Sequence, residues 1–204
     1  MAEVNPNSRL EAFCDGVFAI AMTLLVIDIK IPATREIKDT VDFWLALREI
    51  APSVFAFLLS FTIILITWVN HHASLKLVNK SSPSFNYANG FLLLTVVVIP
   101  FPTALIGEYF LSDHPTPAVF LYNAVLAIQG IAWILMSVSA NRNNLGASPH
   151  AVNQLKTNGR NGYYAFAFYS LLAILALWFP LPVVIITTLS WVFWLIYGIN
   201  VKHE

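Results

Sequence analysis

The order of apolar and polar positions along the chain predicts a series of long apolar helices. An α-helix needs about 20 mostly apolar residues to cross the hydrocarbon core of a bilayer. Four stretches of about this length lie at Phe13–Ile31, Ile50–His72, Phe85–Tyr109 and Ala118–Ala140. Between Tyr163 and Val201 there is no charged residue, and a Phe-Pro-Leu-Pro sequence at 179–182 divides this stretch into two further spans. The pattern predicts an all-α, polytopic membrane protein with six transmembrane helices.

The segments between these stretches are short and polar. Residues 33–49 are predicted to form the one long loop, with Pro32 ending the first helix. Residues 141–160 are rich in Asn, Gly and Ser and are predicted to form a second loop, too short to be a domain. Pro100 and Pro102 lie inside the third span, and because proline lacks a backbone N–H they should kink or break it. Residues 1–204 are therefore predicted to form a single six-helix domain.

The composition favours a membrane protein and disfavours several other classes. Apolar residues make up 58% of the chain and charged residues 11%, against about 45–50% and about 25% in soluble domains. The formal net charge is zero, so no basic surplus indicates a nucleic-acid partner. The sequence contains no G-x-S-x-G, H-E-x-x-H or phosphate-loop motif, which argues against an enzyme, and we expect no cofactor.

The distribution of Lys and Arg predicts the orientation in the membrane. Basic residues are enriched in cytoplasmic loops. If both termini are cytoplasmic, the inner side holds seven of the eleven basic residues, namely Arg9, Lys76, Lys80, Arg142, Lys156, Arg160 and Lys202. The outer side then has four basic and seven acidic residues, about three net negative charges, and an acidic outer surface would attract cations.

The antiparallel succession of spans brings a set of polar residues to the inner surface: Arg9, Cys14, Asp15, Trp68, Asn70, His71, His72, Asn86 and Asn89. Ionisable groups near the bilayer are costly unless paired, so we expect an interhelical network that pairs Asp15 with His71 or Arg9. The alternative is ordinary capping and anchoring of helix ends. Because neighbouring residues on a helix point about 100° apart, His71 and His72 are poorly placed to share a metal ion, and no permanent metal is expected.

The first helix has an apolar stripe at helical spacing. Ile20, Leu24 and Ile27 lie at i, i+4 and i+7 with Thr23 beside them, while Gly16 and Ala19 would admit a close neighbour. On the pattern alone, this stripe is an ordinary packed face, since apolar stripes of this period mostly belong to a protein core.

Three segments suggest a family. Arg9-Leu-Glu-Ala-Phe13-Cys14-Asp15 resembles the R-x-x-x-F-S-D signature that opens the first helix of the endosomal and lysosomal potassium channels called transmembrane protein 175. Residues 68–72, Trp-Val-Asn-His-His, and 100–109 also resemble stretches of its single-unit prokaryotic members, so the similarity covers the first three helices. One departure is Cys14 where the signature has Ser, and a thiol is the poorer hydrogen-bond donor.

The resemblance implies a homotetramer in which the first helix of each chain lines a central potassium pathway without a carbonyl selectivity filter. Carried over by position, Ile20, Leu24 and Ile27 would narrow the pore and Thr23 would form a polar ring. Arg9, Phe13 and Asp15 would belong to the signature network. The absence of a Thr-Val-Gly-Tyr-Gly loop agrees with this expectation.

The sequence thus favours a passive, potassium-selective channel in a prokaryotic inner membrane, whose partners are potassium ions in transit, the lipid bilayer and copies of itself. Two alternatives remain. One is a secondary or proton-coupled transporter that uses Asp15 and the histidines as a relay, although the matched broken helices of inverted repeats are not evident. The other is a membrane scaffold in which the polar network is purely structural.

Overall fold

The computed structural model describes residues 7–30 and 37–200, and their side chains as far as Ile196. This part of the chain is all-α, with one isolated β-bridge between loops. Its helices are α1 (Ser8–Leu24), α2 (Thr40–Glu49), α3 (Ala51–Lys76), α4 (Pro83–Val98), α5 (Pro100–Tyr109), α6 (Thr116–Arg142), α7 (Pro149–Ala176) and α8 (Pro180–Asn200). A 3-10 turn over Leu25–Asp28 continues α1.

Four helical segments of the described chain are long and apolar enough to span a bilayer: Ser8–Asp28, Ala51–Lys76, Pro83–Tyr109 and Thr116–Arg142. A shorter apolar helix covers Pro180–Ile196. The first part of α7 is polar, and its charge-free part begins only after Arg160. The protein is therefore a multi-pass membrane protein, and the six-span count remains a prediction. The predicted ends at Ile31, Pro32 and Val201 lie outside the described residues.

The predicted break in the third span is confirmed. Helix α4 ends at Val98 and α5 begins at Pro100. Between them, the Ile99 N–H donates to the Val96 carbonyl three residues earlier, as in a 3-10 turn, and not four residues earlier as in an α-helix. Proline cannot donate to the preceding turn, so carbonyls there lose their helical partners. The Val96 carbonyl, which Pro100 would serve in a continuous helix, accepts instead from the Ile99 N–H at 3.1 Å, so the loss is partly compensated within the membrane.

Two of the loop predictions are wrong in part, because each of these segments contains a helix whose first turn is capped by a side chain. Within residues 33–49, helix α2 begins after Asp39, whose carboxylate accepts from the Val41 and Asp42 N–H groups, both at 2.8 Å. Within residues 141–160, helix α7 begins at Pro149 after the Ser148 hydroxyl caps the N–H of Ala151. Side-chain caps satisfy the first N–H groups, so polar sequences continue as helix beyond the bilayer.

The helices pack against one another through faces made of apolar residues or of small residues such as glycine. Helix α1 lies against α3 and α4, and α6 packs along most of α7. This last contact is close: a Cβ placed on Gly130 would lie 2.7 Å from the backbone nitrogen of Phe166, so the helices meet nearly backbone to backbone. At the end of the bundle that contains His71, the loops after α3 and α6 are joined, since the Ala147 N–H donates to the Leu77 carbonyl at 2.9 Å.

Candidate pore-lining face and its supporting polar network

Helix α1 has two apolar faces with opposite environments. Cys14, Phe18, Ala21 and Leu25 recur at helical spacing and are completely buried against the rest of the protomer. On the other face, Ile20 is 60% exposed, Leu24 40% and Ile27 71%. The same stripe carries exposed Phe13, Gly16 and Thr23. The predicted pore-narrowing side chains therefore lie together on a face that no described part of their own chain covers.

Thr23 is the polar residue of this bare stripe. Its hydroxyl donates to the Ile20 carbonyl at 2.9 Å, one turn earlier in the helix. A hydroxyl has one hydrogen and two lone pairs, so this bond uses the hydrogen and leaves the oxygen able to accept. Thr23 thus presents an oxygen ligand on an otherwise apolar surface.

A direct bond links α3 to α1 behind this stripe. The Trp68 indole N–H donates to a carboxylate oxygen of Asp15 at 2.8 Å. The expected pairing of Asp15 with His71 or Arg9 is not among the described contacts, and Arg9 is exposed. Tryptophan satisfies the carboxylate instead because its indole N–H can only donate and lies within reach at the membrane boundary.

A second link from α3 to α1 passes through α4. His71 Nε2 lies 2.6 Å from Asn89 Oδ1, and Asn89 Nδ2 donates to Cys14 Sγ at 3.2 Å. Since the Asn89 amide donates to the sulfur, its oxygen accepts and the histidine proton is on Nε2. The His71 ring also packs on Phe18, with ring centroids 5.3 Å apart. All four side chains are buried, so the chain of contacts holds α1, α3 and α4 together.

The other residues assigned to this network occupy its margin. The Asn70 carbonyl accepts from the Ser74 hydroxyl at 2.8 Å, and the Asn70 side chain is half-buried. Phe13 is exposed on the bare stripe. His72 stacks on Trp68 with ring centroids 6.0 Å apart, and so points away from His71. Among the described residues, no group of three or more His, Cys, Asp or Glu side chains is arranged to hold a metal ion.

The opposite end of α1 is held by a charged contact. Lys30 Nζ lies 2.6 Å from Glu108 Oε2, and this hydrogen bond raises the pKa of Lys30 above its usual range. Beside this pair, a cavity of about 330 Å³ is lined by parts of the 3-10 turn and of α5. Helix α5 approaches α3 closely here, since a Cβ on Gly107 would lie 2.9 Å from Ser53 Cα. Both ends of α1 are therefore tied to neighbouring helices.

Further buried polar contacts were not anticipated from the sequence. The Thr103 hydroxyl, whose hydrogen goes to the Ile99 carbonyl, lies 2.6 Å from the Ser60 hydroxyl and so accepts from it, and Ser60 lies 3.0 Å from the Tyr122 hydroxyl. Thr187 donates to Asn123 at 2.9 Å, which joins α8 to α6. Each residue is a polar position in a mostly apolar helix, and such positions often mark interhelical contacts. The sequence does not indicate which helices they join.

Together, the fold and this site define a multi-pass α-helical membrane protein in which one helix has an apolar face that the described part of its own chain leaves exposed. A family model described as endosomal/lysosomal potassium channel TMEM175 matches residues 9–100. The chain is 38% identical over 185 residues to a potassium channel of Chamaesiphon minutus, covering 89% of this chain and 91% of that protein. The chain belongs to the TMEM175 family, and its length matches that of this bacterial member.

A solved structure supports the same assignment. The crystal structure of a lysosomal potassium-selective channel TMEM175 homologue from Chamaesiphon minutus matches with a TM-score of 0.80 and 31% identity, covering 94% of this chain and 97% of that one. A chicken relative is named endosomal/lysosomal proton channel TMEM175. It is 32% identical over 119 residues, which is 56% of this chain and 24% of the chicken protein.

Proposed function

We propose that this protein is a potassium-selective channel that conducts passively through a central pathway lined by α1. The observation that carries the proposal is the bare stripe of Ile20, Leu24 and Ile27 on a helix whose opposite face is completely buried. Family membership supports it, because the bacterial relative with 38% identity is named a potassium channel. Passive conduction needs no cofactor and no reaction, so no enzymatic role is proposed.

The proposed assembly is a homotetramer around α1. Each single-domain chain would cross the membrane six times, through α1, α3, the α4–α5 pair, α6, the charge-free part of α7 and α8. Four bare stripes facing one axis would cover each other and enclose a narrow apolar passage. The Trp68–Asp15 and His71–Asn89–Cys14 contacts would hold each α1 at a constant distance from this axis.

Selectivity is proposed to arise from partial dehydration in this passage. An apolar ring of Ile20, Leu24 and Ile27 side chains cannot replace the water around an ion, and shedding that water costs more for sodium than for the larger potassium ion. Thr23 would offset part of this cost, because its hydroxyl proton is engaged by the Ile20 carbonyl and its oxygen can accept a cation. No ring of backbone carbonyls is required.

The test is ion flux through purified protein in liposomes. Under an imposed voltage we expect potassium efflux that exceeds sodium efflux and follows the driving force without a fixed coupling ratio. Because a relative is named a proton channel, proton flux is measured in the same vesicles with a pH-sensitive dye. Stoichiometric coupling of potassium to protons would favour a transporter, proton flux alone would contradict potassium selectivity, and no flux of any ion would favour a scaffold.

We further propose that the chain lies in the cell's inner membrane with both termini in the cytoplasm. Seven of its eleven basic residues would then face the cytoplasm. Lys38 and Lys156 are both exposed and lie on opposite sides in this arrangement. In a Cys14→Ala background, an impermeant thiol reagent should label Lys38→Cys in intact cells and Lys156→Cys only after permeabilisation. The reverse pattern would contradict the orientation.

A further inference from the structure

Helices α7 and α8 leave an open groove between them, and none of the residues that line it belongs to the site described above. The groove has a volume of about 740 Å³ and a mostly apolar lining. Its walls include Phe168 on α7 and Leu189 and Phe193 on α8, all of which are exposed at the surface. Volumes of about 300–1,000 Å³ are typical of small-molecule binding sites.

The groove stays open because α7 is packed elsewhere. The face of α7 that contains Gly162 packs against Gly130 of α6, and the two backbones nearly touch there. Helix α8 meets α7 further along, where Tyr169 stacks on Trp191 with ring centroids 5.6 Å apart and its hydroxyl lies 3.0 Å from the Ser190 hydroxyl. Ser190 also lines the groove, so the groove lies directly beside this contact.

One end of the groove is basic and lies at the depth of a lipid headgroup. Arg160 and Asn161 line this end, and Arg160 is exposed. Asn158, two residues earlier, donates to the Ser74 hydroxyl near the end of α3 at 3.0 Å, which places Arg160 close to the level of His71. The charge-free part of α7 begins immediately after this point. Arginine at this boundary can bind a phosphate while apolar surface extends below it.

The length of the groove fits an acyl chain. Eight residues of α7 separate Arg160 from Phe168, or about 12 Å at the rise of an α-helix. One leaflet of hydrocarbon is about 15 Å deep, half of the bilayer core. Tyr164, one turn beyond Arg160 on α7, also lines the groove and is of the type that favours the headgroup region.

We propose that this groove binds an anionic phospholipid of the leaflet at the His71 end, with its phosphate on Arg160 and an acyl chain between α7 and α8. Basic pockets between transmembrane helices on the cytoplasmic side commonly bind such headgroups. A second copy of the chain is the less suitable occupant, because the residues that line the groove belong to α7 and α8 and none belongs to α1. In an assembly centred on α1, the groove faces lipid, and this step rests on the proposed function.

The experiment measures lipid retained by the purified full-length protein, using native mass spectrometry with phosphatidylglycerol or phosphatidylcholine added. We expect phosphatidylglycerol to be retained preferentially, and Arg160→Gln to weaken its binding by about fivefold. Lys156→Gln is the matched control, since Lys156 is exposed one turn earlier on α7 and does not line the groove. An equal loss in both variants would overturn the proposal in favour of general surface charge.

A second pair of variants tests the acyl-chain position. Leu189→Trp places a large ring in the groove and should displace bound phosphatidylglycerol, whereas Leu195→Trp, exposed on the same helix outside the groove, should not. If Leu189→Trp instead dissociates an oligomer while lipid binding is unchanged, the groove is a contact between copies and the proposal is wrong. Lipid retention is read without any flux, so a wild-type protein that binds phosphatidylglycerol but carries no potassium would contradict only the channel function.

Discussion

Both faces of α1 are mainly apolar, but one is buried in the fold and the other is exposed. One face, with Phe18 at its centre, is buried against α3 and α4, while on the other face Ile20 is 60% exposed and Ile27 71%. In water, burial would separate an apolar face from a polar one. In a bilayer the lipid is as apolar as leucine, so hydropathy gives no such separation.

What distinguishes the faces is the presence of specific partners. The buried face contains Cys14, which accepts from Asn89, and Phe18, which packs on the His71 ring. Close packing and interhelical hydrogen bonds drive helix association in membranes. The bare face has branched aliphatic side chains and one threonine, which in the proposed tetramer would contact copies of themselves around the axis. The comparison therefore predicts that substitutions on the two faces have different consequences.

The largest expected effect is on the buried face. Phe18→Ala removes a buried aromatic ring that packs against His71, and such changes destabilise by about 3–5 kcal/mol. We expect loss of most folded protein in detergent, measured by thermal unfolding and size-exclusion chromatography. Ile20→Ala, on the same helix but exposed, should lower stability far less. Equal losses would show that the two faces are packed alike and would remove the basis of the comparison.

On the bare face, the expected effect is on conduction. Ile20→Asn makes the apolar ring easier to wet, which should raise potassium conductance on the order of tenfold, corresponding to about 1.4 kcal/mol off the barrier. Single-channel recording in planar bilayers measures it. Val26→Asn is the control, because Val26 is also exposed but lies off the stripe. If Val26→Asn raises conductance and Ile20→Asn does not, the pore face is assigned wrongly.

The link behind the buried face should matter for stability and not for selectivity. Trp68→Phe removes the donor to Asp15 and leaves a carboxylate oxygen without that partner, at a cost of about 1–3 kcal/mol. Trp133→Phe is a matched control, since Trp133 is half-buried and its indole makes no hydrogen bond among the described residues. A comparison of midpoint temperatures measures the difference. If both variants lower the midpoint temperature equally, the loss comes from the smaller ring, and the hydrogen bond to Asp15 adds nothing to stability.

The smallest expected effect concerns Thr23. Thr23→Ala removes one hydroxyl oxygen from the stripe, so potassium-over-sodium preference should fall a few-fold, in keeping with a contact of about 0.5–1.5 kcal/mol. Reversal potentials under bi-ionic conditions measure this preference. Thr62→Ala controls for the backbone bond, because Thr62 donates to the Leu58 carbonyl at 2.8 Å in the same manner but lies on α3. A matching loss of preference in Thr62→Ala would show that Thr23 is not a cation ligand.

Much of the fold could be predicted from the sequence because bilayer thickness imposes a length on apolar segments. The break at Pro100 also follows from local chemistry, since proline lacks the N–H that a helix interior requires. Helix α2 and the start of α7 were missed because they are polar and lie outside the apolar pattern. Their signals were local caps, Asp39 and Ser148, each followed by helix-compatible residues.

Parts of the candidate site could be predicted only as a set of residues. The sequence placed Asp15, Trp68, His71 and Asn89 at one depth, yet it paired Asp15 with His71 or Arg9 where the structure pairs it with Trp68. Depth depends on position along each helix, which the sequence records. Pairing depends on the rotation and tilt of each helix, which the packing of all neighbours decides together.

The sequence by itself determined the class of protein, its apolar spans, the break after Val98 and the residues available to a polar network. Hydropathy could not decide which face of α1 is bare, because both faces are apolar; the resemblance implied the face of Ile20, and the tertiary structure shows that this face is exposed. Only the tertiary structure decided the groove between α7 and α8, which exists because close glycine contacts hold α7 against α6. In a membrane, van der Waals fit and hydrogen bonding select the buried face, and both depend on residues that are distant in the chain.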